Sequence, residues 1–169
     1  MKRAPSVLWT LARVIAAISL TIWCVLHLRA FDHYFGFELP NMARIPGIVL
    51  LATGGGLVLW CAGILSGVRI LEQRGDRLFP TEFGASGPFR YLRNPMSLGL
   101  IVLFAGLGFY MRSISILLFA LFLFLLFHMV AVYFEEPGLT KRFGQSYIEY
   151  KRSVGRWMPR IKKYWTPVP

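Results

Sequence analysis

Long apolar runs separated by polar connections set the plan of this chain. Residues 7–28 are apolar apart from Arg13, 45–65 carry no charge, 96–111 form a third run, and 114–134 follow it after only Arg112-Ser113. A bilayer core takes about 20 apolar residues per helix, so the pattern predicts four membrane helices. The third has about 16, near the lower limit, and must begin at Pro95 or belong to a shallow hairpin. The first run is too long for a cleaved leader and has no small-residue cleavage site after it, so it reads as a retained anchor. Gly54-Gly55-Gly56 and the Gly63/Gly67 pair read as places where helices approach closely. Beyond residue 134, Leu139, Phe143, Tyr147, Tyr150 and Val154 recur at helical spacing opposite Lys141, Arg142, Gln145, Glu149 and Lys151. That is the pattern of an amphipathic helix lying on a membrane. The expected fold is an all-α, polytopic membrane helical bundle of about four transmembrane helices with a C-terminal interfacial amphipathic helix. It divides into an N-terminal part, 1–80, with helices one and two, and a core, 81–169.

Composition agrees with a bilayer as solvent: 56% of residues are hydrophobic and mean hydropathy is +0.54, above the usage of soluble domains. The formal net charge of +11 does not point to nucleic acid, because the basic residues lie between apolar runs instead of forming one soluble face. Anionic headgroups are the simpler partner, above all at the tail, where Trp157, Tyr164 and Trp165 interleave with Arg156, Arg160, Lys162 and Lys163. Cys24 and Cys61 fall inside apolar runs, which gives neither a disulfide framework nor metal spacing. Two Lys or Arg precede the first helix, five lie in 68–93 and eight follow Glu136, all on one side of the expected bundle, against two in 29–44 and Arg112 on the other. By the positive-inside rule both termini and the 68–93 connection face the cytoplasm of an integral membrane protein.

Two polar sites bracket the third and fourth helices. The stretch GPFRYLRNPMSLG, 87–99, carries Arg90, Tyr91, Arg93, Asn94, Pro95, Ser97 and Gly99 between breaker pairs Gly87-Pro88 and Asn94-Pro95. Glu135-Glu136-Pro137 places two carboxylates where the fourth helix is expected to end. A carboxylate there opposes the helix dipole and asks for a reason, although a solvated helix end would also produce it. Arg90 and Arg93 also satisfy the positive-inside rule. His128 lies seven residues before Glu135, two turns away on one face, and is either a functional intramembrane group or a neutral histidine bonded to a neighbouring helix. Tyr147 and Tyr150 are pocket walls or interfacial anchors.

The ordered set, GPFRYLRNPMSLG, two apolar helices and EEPGLTKRFGQSYIEYKRSVGRWMPR, resembles the integral-membrane methyltransferases related to isoprenylcysteine carboxyl methyltransferase and phosphatidylethanolamine N-methyltransferase. Their pattern is Arg-His-Pro-x-Tyr-x-Gly, a Glu-Glu pair, then Phe-Gly-x-x-Tyr-x-x-Tyr. The resemblance covers about 87–160. It implies S-adenosylmethionine as cofactor and a lipophilic acceptor carrying a carboxylate or thiol, or alternatively a phospholipid amine; a non-catalytic lipid-binding scaffold of the same fold is the remaining reading. Carried over, Arg90, Tyr91, Arg93, Asn94, Pro95, Ser97, Gly99, Glu135, Glu136 and Tyr147 would hold the cofactor, with Arg93, Asn94 and His128 nearest the chemistry. Asn94 stands where the pattern has His, and Ser97 where it has Tyr. A cofactor with sulfonium, ammonium, carboxylate and ribose hydroxyls needs acceptors, supplied by the glutamates, a bidentate cation, supplied by Arg90 or Arg93, and close backbone approach at Gly99.

Overall fold

The structure, a computed structural model, describes residue 19 and residues 23–36, 38–66 and 85–159, together with the helical path of 67–73. Most of the first apolar run with Arg13, the basic connection 74–84 and the tail from Arg160 lie outside the described residues. The part of the first run that is described forms a short helix, 23–30 (α1). Helical turns at Phe31–Tyr34 and Asn41–Ala43 lead into α2 (Arg44–Gln73). A 3-10 turn at Gly87–Arg90 precedes α3 (Pro95–Met111), and then come α4 (Ile114–Val130), a π-helical turn (Ala131–Glu135), α5 (Glu136–Phe143) and α6 (Gln145–Ser153). No strand occurs among the described residues; Leu92 and Gly155 form one isolated parallel bridge.

Glycine sets the approach of α2 to α3. A Cβ at Gly54 would stand 2.6 Å from the backbone nitrogen of Leu103, and one at Gly106 would stand 2.6 Å from that of Leu51. The two helices therefore run antiparallel with their backbones almost touching, the arrangement small residues permit where lipid gives no hydrophobic drive to associate. Gly56 and Gly63 meet nothing within 4 Å, so packing uses Gly54 from the expected set, and Gly47, Gly99 and Gly106 besides.

Between α3 and α4 the chain reverses at Arg112, whose φ of 59° is left-handed. The Ser113 hydroxyl accepts from the Ile116 N–H at 3.2 Å and caps α4. Outward residues such as Leu59, Trp60, Leu121, Phe122, Leu125 and Met129 are more than half exposed, an apolar coat that requires lipid. The Asn41–Ser66 and Ile114–Phe143 helices are long and apolar enough to cross a membrane, and Pro95–Met111 is a shorter apolar helix. The chain is an integral membrane protein.

The Glu135-Glu136-Pro137 stretch does not end the fourth helix. The π turn takes up an extra residue, and Pro137, which lacks an N–H, sits in the first turn of α5 where none is needed. Glu136 therefore lies inside one continuous helical stretch, Ile114–Phe143, and not at a free helix end. The amphipathic stretch is likewise two helices, broken at Gly144 with φ 56°. Its apolar face closes on protein: Tyr147, Tyr150 and Val154 form a buried cluster with Ala85, packed against Phe89, Leu139 and Phe143.

Candidate active site

The loop before α3 is fixed by the tail of the chain. The Tyr150 hydroxyl donates to the carbonyl of Phe89 at 2.6 Å, and the Arg93 N–H donates to the carbonyl of Gly155 at 2.9 Å. Both contacts draw 154–158 across the start of α3. Trp157 then reaches α4, where its indole N–H donates to His128 Nδ1 at 3.1 Å and its ring lies 5.2 Å from that of Phe124.

Glu136 is the centre of this arrangement. Its side chain is 4% exposed; Oε1 accepts from Arg93 at 2.6 Å and from Arg156 at 2.7 Å, and Oε2 pairs with Lys151 at 2.7 Å. One carboxylate thus meets three cations, and the cluster keeps two positive charges in excess. Tyr147 packs beside it. Burial, reinforced by the Glu136 charge and only partly opposed by Arg93 and Arg156, pushes its phenol pKa up, so at neutral pH it remains a hydroxyl. Two buried donors on adjacent residues at the start of α3, Arg93 Nε and Asn94 Nδ2, have no hydrogen-bond partner among the described residues. An orphaned buried donor costs free energy unless an acceptor arrives, so these two mark where an anionic or carbonyl oxygen belongs.

Of the residues singled out from sequence, the fold gathers Arg93, Asn94, Glu136 and Tyr147. Pro95 is fully buried at the start of α3. Arg90 turns aside and donates to the Ala85 carbonyl at 3.1 Å. Tyr91 is exposed, Ser97 half-buried and Glu135 exposed. At Gly99 the missing Cβ serves α2, since an added one would lie 2.9 Å from Val58 and 3.1 Å from the Gly54 carbonyl oxygen. His128 is held by Trp157: an indole N–H can only donate, so Nδ1 accepts and the proton of the neutral ring is on Nε2. Lys151, Arg156 and Trp157 were not expected here. Their only signal was a basic, aromatic-rich tail, which reads equally well as a lipid-facing belt.

The sequence profile of the phospholipid methyltransferase family matches residues 42–146, more than half of the chain. No curated protein and no solved structure gives a match. The matched residues run from the start of α2 to the start of α6 and contain Arg93, Asn94 and Glu136, while Lys151 and Arg156 lie just beyond. With that span of agreement, around a cluster that joins the loop before α3 to the helix after α4, the chain belongs to the phospholipid methyltransferase family.

Proposed function

We propose that this protein transfers a methyl group from S-adenosylmethionine to a lipophilic acceptor at the cytoplasmic face of a membrane. The observation that carries the reading is the pair of orphaned buried donors, Arg93 Nε and Asn94 Nδ2, in a cluster with excess positive charge. That donor set fits the carboxylate of the cofactor, with the exposed Glu135 as acceptor for its ammonium or ribose. When bound, the cofactor supplies a methyl group activated by a sulfonium. The chain's own part is positioning and exclusion of water: Glu136 orients Arg93, and Trp157 holds 154–158 over the loop. Orientation with both termini and the 87–99 loop in the cytoplasm follows from the positive-inside rule and places the cluster where a cytosolic cofactor can reach it.

The acceptor we favour is a carboxylate or a thiol. A lipid amine, with a pKa near 10, must shed a proton before its lone pair can attack. Asn94 is no base, the Nδ1 lone pair of His128 is committed to Trp157, and Glu136 is bound by cations. A phospholipid amine is the second reading, favoured by the family match. Incubation with methyl-labelled S-adenosylmethionine and either an isoprenylcysteine analogue or phosphatidylethanolamine vesicles separates the two, because methyl esters are released by alkali and N-methyl groups are not. Alkali-stable label in phosphatidylethanolamine alone would overturn the preferred acceptor. Absence of calorimetric binding of S-adenosylmethionine would overturn the enzyme reading and favour a non-catalytic scaffold.

A further inference from the structure

A second polar site lies at the opposite end of α3. There a cavity of about 460 Å³ is lined by Arg29, Asp32, His33, Glu38, Arg44 and Arg112. The helical rise along α3 sets it roughly 25 Å from the Glu136 cluster. Arg44 opens α2 and Arg112 closes α3, so the cavity sits at the end of the apolar spans, at headgroup depth whichever way the chain is oriented.

Both carboxylates in it already have work. Asp32 accepts from the Ser115 N–H at 2.9 Å and ties the Phe31–Tyr34 turn to the start of α4. Glu38 pairs with Arg112 at 2.7 Å, and Arg112 also donates to the Leu39 carbonyl. The His33 ring bonds through Nδ1 to the Ala30 carbonyl. Arg29 and Arg44 are left: both are exposed, and neither makes a hydrogen bond or close ion pair to a described residue, Arg29 acting on Asp32 only through the field of its charge. Two guanidinium groups facing one cavity call for a phosphate, whose oxygens match their planar donors. Residues beside them in sequence are apolar and exposed, Phe31 at 55%, Tyr34 at 74%, Met42 at 78% and Ile45 at 67%. Exposed apolar side chains so close in sequence to the lining residues suit acyl chains and favour a lipid over a free ion.

We propose that this cavity seats the phosphate of a phospholipid headgroup between Arg29 and Arg44, a lipid that is bound and not methylated there, and that joins the connection before α2 to the α3–α4 turn. The test is native mass spectrometry of the full chain in a non-ionic detergent. It is titrated separately with phosphatidylglycerol, with inorganic phosphate and with diacylglycerol. Phosphatidylglycerol should be retained, and the Arg29→Gln/Arg44→Gln protein should hold it at least about tenfold more weakly, the effect of losing even one charge-assisted contact. Arg44→Lys should lose less than Arg44→Gln, and Lys141→Gln, which removes an exposed cation at the other end, should change nothing. Unchanged retention in the double variant, or diacylglycerol held as well as phosphatidylglycerol, would refute a phosphate site. Inorganic phosphate bound as tightly as the lipid would refute the lipid as its source. None of these readouts involves methyl transfer, so the outcome is independent of the proposed activity.

Discussion

Glu136→Gln is the most informative single change in the molecule. The amide keeps the shape of the side chain and removes its charge, which leaves three cations facing one another. Lys151 is 45% exposed and can turn into water, but Arg93 and Arg156 are only 12% and 19% exposed and are held at 2.6 and 2.7 Å from the carboxylate. Removing one partner of a buried ion pair costs about 3–5 kcal/mol, because the remaining charge is stranded. We therefore expect a loss of that size, read as thermal unfolding in detergent. Limited proteolysis should in addition show early release of 154–158 from the loop. Glu135→Gln, one residue away but exposed, should stay within about 0.5 kcal/mol of the parent. Adding Arg156→Gln to Glu136→Gln should recover part of the loss, since neighbours in one network couple by about 0.5–3 kcal/mol. Equal stability of the Glu135 and Glu136 variants, or a further loss in the double variant, would show that the cluster is not the fastening described here.

Other perturbations probe separate contacts. Gly54→Ala and Gly106→Ala force a Cβ against backbone at 2.6 Å and should each cost about 1–3 kcal/mol in detergent unfolding, whereas Gly56→Ala, with open space around it, should cost none of this. Tyr150→Phe removes the donor to the Phe89 carbonyl and should cost about 1–3 kcal/mol, with faster proteolysis at 85–93 as the local sign. Burial raises the pKa of the Asp32 carboxyl, but hydrogen bonds from Ser113 and Ser115 and the charge of Arg29 outweigh it and leave the value below the ordinary 3.8. A depressed carboxyl stabilises the fold above its unfolded value and ceases to as pH falls through the folded one. Asp32→Asn should accordingly flatten the loss of stability below about pH 4, and an unchanged acid limb would refute that contribution.

Polarity places α2, α3 and α4 because each is built on an apolar run, but it does not end α2, which continues past Leu65 through Arg69 and Glu72 to Gln73, inside the stretch read as a polar connection. Arg112-Ser113 is legible as a turn because two residues leave room for nothing else. What joins the runs is not legible. Gly99 and Gly106 look like ordinary membrane glycines until the antiparallel register sets them against Val58 and Leu51. Arg93 and Glu136 are marked by the loop and the acidic pair. Lys151 and Arg156 reach Glu136 only after reversals at Gly144 and Val154-Gly155, and no spacing encodes that. The polar cavity near Arg112 is equally hidden, being assembled from four separate segments.

The π turn explains why two adjacent glutamates differ. In a regular helix the residue two turns beyond His128 is seven positions on, which is Glu135. A π turn absorbs one additional residue, so across 131–135 the position in register with His128 becomes Glu136. The contacts agree: His128 meets Trp157 and Glu136 meets Arg156, consecutive residues of the same crossing segment. Deleting Val132 should convert the π turn to α-helix while leaving Glu136 aligned with His128, now seven residues away, and should be tolerated. Inserting an alanine after Val132 should turn α5 by about 100° relative to α4 and carry Glu136 away from Arg93 and Arg156, at a cost comparable to that of Glu136→Gln. Thermal unfolding of the two length variants decides the point. A deletion as damaging as the insertion would mean that the π turn itself, and not the register it sets, supports the cluster.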